Sequence, residues 1–167
     1  MTYAIVYSSK TGNTQRLAET IRAVLPAEAV CYCGTPDAAA LAADVLFVGF
    51  WTDKGSCDAE TAAFLKTLTS QRIFLFGTCG FGGDDSYFAR ILDNASGCIP
   101  AGVPVIGRFM CQGKMPQGVR KRYERAAAED PGKRPLMTQM ISNFDAALSH
   151  PDDNDLAQLT AAVEAVL

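Results

Sequence analysis

The feature that most constrains the fold is the regular alternation of short apolar runs with longer amphipathic stretches. Five runs have the length and composition of β-strands: residues 3–7, 29–32, 45–50, 73–76 and 105–111. Between them, apolar residues recur at the three- and four-residue spacing of helices. The run at 45–50 is continuously apolar, which is typical of a strand buried on both faces of a parallel sheet. The pattern therefore predicts an α/β fold with a parallel sheet.

Right-handed crossovers leave few arrangements for such a chain. We expect a doubly wound sheet of five strands in the order 2-1-3-4-5, with a last helix beginning near residue 155. Residues 112–150 interrupt the alternation and predict a helical insertion within a single domain that spans 1–167. The insertion contains an apolar stripe at helical spacing, whose methionines are interpreted as core packing: Met137, Met140, Ile141, Phe144, Ala147 and Leu148.

Charge and composition exclude several classes of function. The formal net charge is −3, whereas nucleic-acid-binding domains are usually basic. No apolar run approaches the length of a membrane span, and a strand beginning near residue 2 leaves no room for a signal peptide. We therefore expect a cytoplasmic protein with no nucleic-acid or membrane partner.

The sequence contains no pattern typical of a metal site or of a hydrolytic active site. The six cysteines form no C-x-x-C pair, and the single histidine, His150, cannot complete a metal cluster with them. No Ser-His-Asp set or pair of carboxylates has a persuasive spacing. The sequence therefore predicts neither a metal site nor a catalytic residue.

The first predicted strand leads directly into a polar loop, Ser8-Ser9-Lys10-Thr11-Gly12-Asn13-Thr14, and then into a helix. The first N–H groups of a helix have no partner inside it, and the helix dipole adds positive potential at the same end. Hydroxyl groups and free amides around one point predict a site for a phosphate monoester. Neither the Walker loop nor the dinucleotide fingerprint is present.

Two further loops are expected at the same edge of the sheet. Residues 51–57 and 78–85 follow the third and fourth strands and are rich in glycine and hydroxyl residues. Doubly wound sheets bind ligands at the carboxyl ends of their strands, where the strand order reverses. One loop carries Trp51, the only tryptophan. This convergence predicts a site for a flat ligand with a phosphate tail.

These loops resemble those of flavodoxins. Residues 9–14, S-K-T-G-N-T, are similar to the [ST]-x-T-G-x-T loop that holds the phosphate of FMN in that family. Residues 83–87, G-D-D-S-Y, are similar to the G-D-x-x-Y segment that forms a wall of the flavin site. The resemblance spans roughly residues 2–111 and implies FMN as the cofactor. Residues 49–55 and 109–116 also resemble BilS-type flavodoxin-like proteins, which are associated with bilirubin reduction in anaerobic bacteria.

The resemblance also implies which residues contact the cofactor. Trp51 is expected to stack on the isoalloxazine ring, with Phe81 or Tyr87 on the other face, although Trp51 could instead pack into the core. Lys10 either adds a cation at the phosphate or points to solvent. The full set of expected cofactor-binding residues is Ser9, Lys10, Thr11, Gly12, Asn13, Thr14, Trp51, Thr52, Asp53, Lys54, Gly55, Thr78, Cys79, Gly80, Phe81, Gly82, Gly83, Asp84 and Tyr87.

Acidic residues are expected near the ring. Asp53, Asp84 and Asp85 would disfavour the anionic reduced flavin and lower its reduction potential, unless they serve only turns and helix caps. A backbone carbonyl within residues 52–55 is expected to accept a hydrogen bond from N5 of the reduced flavin.

The leading functional interpretation is an FMN-binding electron-transfer protein that passes electrons to a partner reductase. The alternative is an FMN-dependent NAD(P)H oxidoreductase that acts on its own small-molecule substrate. A third class, an interaction module that has lost its cofactor, would not need the intact loops. Residues 112–134 are rich in lysine and arginine, and we expect them to form the docking surface for the redox partner. They could instead be a solvated cover or close over a substrate.

Overall fold

The computed structural model describes residues 1–82 and 84–167, and its strands and helices alternate as the sequence predicts. The strands are β1 Tyr3–Tyr7, β2 Val30–Gly34, β3 Val45–Asp53, β4 Ser56–Cys57, β5 Arg72–Cys79 and β6 Val105–Gln112. The α-helices are α1 Asn13–Val24, α2 Ala59–Leu65, α3 Asp85–Ser96, α4 Gln117–Glu129, α5 Arg134–Ala147 and α6 Asp153–Glu164. Two short 3-10 helices cover Ala27–Ala29 and Ala38–Ala42.

Five strands form a parallel sheet in the order β2-β1-β3-β5-β6, which confirms the predicted order of the five long strands. The sixth strand, β4, is an addition to the prediction and pairs antiparallel with the end of β3. The turn between them has positive φ at Lys54 (48°) and Gly55 (79°), the backbone of a two-residue hairpin turn. A hairpin with two paired residues per strand is too short to show a period-two pattern in the sequence.

Side chains alternate across the sheet and build one hydrophobic core on each face. Along β1, Ala4 and Val6 belong to one core, whereas Tyr3 and Ile5 belong to the other. Helices α2 and α3 cover the first core, and helices α1 and α6 cover the second. A fully buried aliphatic or aromatic side chain contributes about 1.5–3 kcal/mol, so these two layers stabilise the sheet and hold the carboxyl ends of its strands in register.

Helices α4 and α5 pack mainly on each other, beside the sheet. Arg120 of α4 donates to Asp145 of α5 at 2.9 Å and also pairs with Glu124. Of the apolar stripe in the insertion, Phe144 and Ala147 are buried, and Met137 and Met140 are half-buried. Leu148, which follows the last residue of α5, is 51% exposed. No helix in the described part of the chain is long and apolar enough to cross a membrane.

Candidate functional site

A cleft of about 480 Å³ opens where the carboxyl ends of β1, β3, β5 and β6 meet. It lies at the edge of the sheet where the sequence predicted a ligand site. Many of the predicted cofactor-binding residues line it: Lys10, Thr11, Asn13, Trp51, Thr52, Lys54, Gly55, Thr78, Cys79, Gly80, Phe81 and Tyr87. Ser9, Gly12, Thr14, Asp53, Gly82 and Asp84 are not part of the lining, and Gly83 lies outside the described residues.

The loop after β1 forms a cup of free backbone donors. Gly12 has φ 86° and stands at the N-terminus of α1, a conformation that suits glycine. The N–H of Gln15 donates to the Ser9 hydroxyl at 3.2 Å, and the N–H of Arg16 donates to the Gly12 carbonyl at 3.0 Å. The N–H groups of residues 10–14 donate no hydrogen bond to any other described residue. Free amides at a helix N-terminus form a ready site for an anion.

Thr14 supports this cup from below. Its side chain is buried, and its hydroxyl lies 3.1 Å from the Thr78 hydroxyl and 3.2 Å from the Phe50 carbonyl oxygen. These contacts join the start of α1 to β3 and β5. In this arrangement Thr14 offers a ligand its backbone N–H, while its hydroxyl serves the fold.

Asn13 links the loop after β1 to the loop after β6. Its side-chain amide donates to the Thr11 hydroxyl at 2.9 Å and to the Lys114 carbonyl at 2.8 Å. The residue is 7% exposed, and its Oδ1 is buried with no hydrogen-bond partner among the described residues. An unsatisfied buried acceptor costs about 1–3 kcal/mol. Asn13 lines the cleft, so this unsatisfied acceptor lies within the cleft wall.

Trp51 lies at the end of β3 and lines the cleft, outside both hydrophobic cores. The ammonium group of Lys10 stands 4.8 Å from the centroid of its ring, a cation–π contact. Next to it, the Thr52 hydroxyl donates to the Thr78 carbonyl at 2.9 Å, and the Asn94 amide donates to the Gly55 carbonyl at 2.8 Å. The hairpin between β3 and β4 is thus fixed to β5 and to α3.

The opposite wall comes from the segment after β5. Phe81 and Tyr87 line the cleft, and burial raises the pKa of the Tyr87 phenol. Burial also raises the pKa of Cys79 to about 12, and its thiol donates to the Phe81 carbonyl at 2.8 Å. Cys79 is therefore a packed thiol, since a reactive cysteine needs a depressed pKa. Asp84 turns away from the cleft and caps α3, where hydrogen bonds from Ser86 lower its pKa.

Sequence reasoning missed the fourth wall, which follows β6. It consists of Gly113, Lys114, Met115, Pro116, Val119 and Arg122. The Gly113 N–H donates to the Cys79 carbonyl at 2.8 Å, and a Cβ at Gly113 would lie 2.5 Å from the Asn13 side-chain nitrogen. Only glycine permits this approach. The signal in the sequence was a loop with two glycines and a proline directly after the last parallel strand.

The charges around the cleft differ from those the sequence suggested. Lysine and arginine line it at Lys10, Lys54, Lys114 and Arg122, and no described lining residue is acidic. Asp53 and Asp84 are outside the lining, and Asp85 begins α3. Asp84 caps α3 and Asp85 begins it, whereas Asp53 stands between two lining residues, Thr52 and Lys54. The effect of these carboxylates on the flavin potential therefore stays a prediction.

His150 belongs to the base of α6. Its Nδ1 lies 2.6 Å from a carboxylate oxygen of Asp155, which together with Asp152 forms a reciprocal capping box. These three residues are the one group of potential metal ligands found in the described ranges. Both carboxylates already accept backbone hydrogen bonds of the cap, so the group has a structural role.

Comparisons with known proteins show the family and the fold. The flavodoxin domain family matches residues 4–164. The flavodoxin-like domain-containing protein BilS of Clostridium symbiosum is 42% identical, over 94% of this chain and 91% of that protein. A short-chain flavodoxin associated with a bacterial microcompartment has a similar fold, with a TM-score of 0.61, 18% identity and coverage of 99% and 97% of the two chains. The apo form of the NADH:FMN oxidoreductase EMOB gives a TM-score of 0.60 at 16% identity, with 99% and 88% covered.

Proposed function

The chain belongs to the flavodoxin domain family, and on that premise we propose that it binds FMN in the cleft and passes electrons to a partner protein. A flavodoxin domain implies FMN as its cofactor. The observation that supports this most directly is the cup of free amides at residues 10–14, which stands beside the ring of Trp51. An anion site next to an aromatic wall matches a ligand with a phosphate at one end and a flat ring at the other.

The residues present fit FMN. The amides of residues 10–14 and the Thr11 hydroxyl suit its phosphate, whereas the Lys10 ammonium stands over the Trp51 ring. The unpartnered Oδ1 of Asn13 suits a hydroxyl of the ribityl chain, which is a hydrogen-bond donor. Trp51 and Tyr87 supply aromatic walls for the ring.

When bound, FMN supplies the redox chemistry, because its ring takes up and releases electrons. The protein binds and orients the cofactor and shields it from water. The loop after β1 fixes the phosphate end, and the hairpin after β3 holds Trp51 in place through Thr52 and Gly55. Met115, Pro116 and Val119 add an apolar wall that limits the access of water.

Calorimetry with FMN and riboflavin tests the phosphate site. We predict that FMN binds much more tightly, because riboflavin lacks the group that the free amides would hold. Thr11→Ala should weaken FMN binding by about 1.5–3 kcal/mol, the range for a hydrogen bond to a charged group, and leave riboflavin binding unchanged. Thr11→Ser, which keeps the hydroxyl, is the control. Equal affinities for the two flavins would contradict the phosphate site.

We also propose that residues 112–134 form the docking surface for the redox partner. Lys114 and Arg122 line the cleft itself, and Lys121 and Arg125 are exposed on the same helix. Arg120, by contrast, is engaged by Asp145 and Glu124. Such a surface favours a partner with an acidic patch and affects the rate of association more than the final affinity.

One observation favours a second candidate function, an FMN-dependent NAD(P)H oxidoreductase. The wall formed by the loop after β6 and by α4 deepens the cleft beyond the loops that the FMN motifs occupy. Enclosure on this side is what an enzyme that binds its own small-molecule substrate beside the flavin would use. Anaerobic addition of NADH or NADPH to the FMN-loaded protein separates the two candidates, because rapid bleaching of the flavin absorbance is expected only of the oxidoreductase.

A further inference from the structure

Four cationic side chains converge on the cleft from four different segments. Lys10 comes from the loop after β1, Lys54 from the hairpin after β3, Lys114 from the loop after β6, and Arg122 from α4. Among the described residues, none of the four takes part in an ion pair, and no carboxylate lines the cleft beside them. The charged side chains that line the cleft are therefore all cationic, although the chain as a whole carries a formal charge of −3.

A comparison of two arginines on α4 shows that only some cations in this region lack a counter-ion. Arg120 lies two positions before Arg122 on α4, and its guanidinium is neutralised by Asp145 and Glu124. Lys121, between them, is exposed and does not line the cleft. The cation that faces the cleft on this helix is thus left without a counter-ion, whereas the one that faces α5 is paired.

The phosphate of FMN would neutralise part of this charge. Its charge, however, is the same whether the ring is oxidised or reduced, so it contributes little to the difference between the two states. Two-electron reduction with uptake of one proton adds one negative charge to the ring. A fixed cation nearby interacts more favourably with the charged form than with the neutral one.

We propose that the four cations around the cleft favour the reduced, anionic form of bound FMN over the oxidised form. The protein then holds its cofactor at a higher reduction potential than the same cleft without them would. This inference rests on the proposed function, in which FMN occupies the cleft. It is opposite in sign to the effect expected from Asp53, Asp84 and Asp85.

Lys54 and Arg122 are the residues in which this effect can be isolated. Lys10 belongs to the phosphate loop, and Lys114 lies in the segment whose backbone carbonyl holds Asn13, so effects of changes at these two residues are harder to separate from phosphate binding. Lys54 lies in the hairpin beside Trp51, and Arg122 lies on α4, both outside that loop. Substitution of these two side chains alters charge beside the cleft while the phosphate cup stays intact.

The test uses a double variant that carries both Lys54→Gln and Arg122→Gln, and compares it with the wild-type protein. Lys121→Gln is the control for charge on α4. Calorimetry gives the affinity for oxidised FMN, and an equilibrium titration with dithionite and a reference dye gives the two-electron midpoint potential. At low ionic strength we expect the ratio of affinities for reduced and oxidised FMN to fall about tenfold in the double variant. That change lowers the potential by about 30 mV. Lys121→Gln should change the ratio less than about twofold, and added salt should shrink the difference.

Three outcomes would overturn the inference. The potential of the double variant could equal that of wild type, or Lys121→Gln could shift it as much as the double variant does. Affinity for both redox forms could also fall by the same factor, which would assign the cations to the phosphate. Arg122→Lys should retain the wild-type potential if charge is the cause. Absence of binding by oxidised FMN to the wild-type protein would instead refute the proposed function.

Discussion

Trp51 is the single residue whose contact with the cofactor is simplest to observe. It lines the cleft with Lys10 over its ring. We predict that FMN bound to the wild-type protein is almost non-fluorescent, because an indole stacked on the isoalloxazine ring quenches it. Trp51→Ala should restore much of the emission while FMN remains bound, as followed by fluorescence and calorimetry. Full quenching in that variant would exclude Trp51 from the ring site.

Other residues show where sequence reasoning reaches its limit. The order of hydroxyl, glycine and amide residues in the loop after β1 predicts an anion site, and the amides of residues 10–14 are free as that prediction requires. The inward turn of the Thr14 hydroxyl depends on where β3 and β5 end, which a local pattern does not reveal. The place of Lys10 over Trp51 likewise depends on two loops that are distant in sequence.

Among the elements, the loop after β6 has a close contact, between Gly113 and Asn13, that a single substitution can test. Gly113→Ala would place a methyl group 2.5 Å from the side-chain nitrogen of Asn13. We predict a loss of about 1–3 kcal/mol of stability and weaker FMN binding, because the loop or Asn13 must move. Gly118→Ala, at the start of α4, meets no heavy atom within 4 Å and should leave stability unchanged or raise it by up to about 1 kcal/mol. Thermal unfolding with and without FMN measures both. Wild-type behaviour of Gly113→Ala would contradict the anchoring of this loop on Asn13.

The long elements were predictable because each carries its own periodicity, and the order of the five long strands follows from right-handed crossovers. The β3–β4 hairpin and the wall after β6 were not predictable, since both consist of short segments that are held in place by tertiary contacts. Asn143 of α5, for example, donates to the Gly80 carbonyl at 3.0 Å and accepts from Gln112 at 3.1 Å. No pattern within α5 indicates that it fastens two loops of the cleft.

The whole molecule has a net negative charge, but the charged residues that line its cleft are lysine and arginine. Reaction rates with small charged redox reagents show which of the two governs electron transfer. We predict that electron transfer from the reduced, FMN-loaded protein to ferricyanide slows as salt is added, since local cations attract this anion. A cationic cobalt complex should show the opposite salt dependence. Stopped-flow measurements check both.

Charge reversal at Lys121 and Arg122 should flatten this salt dependence. The matched control reverses Lys66 and Arg72, because Arg72 begins β5 at the edge of the sheet opposite the cleft. If the net charge of the chain governs the rates, ferricyanide will instead react faster as salt is added. That result would contradict a basic docking surface on residues 112–134.

The phosphate cup is made by the first residues of the chain but is held by some of the last. Asn13 is fixed by the carbonyl of Lys114, and Arg16 donates to the carbonyl of Pro151 at 2.5 Å. During synthesis on the ribosome, the loop therefore emerges long before the residues that fix its shape. The cradle is complete only once the chain beyond residue 151 has left the exit tunnel. We therefore expect loading of the flavin to be a late step in the protein's biogenesis, with a nascent chain truncated before residue 151 retaining less flavin than the full chain.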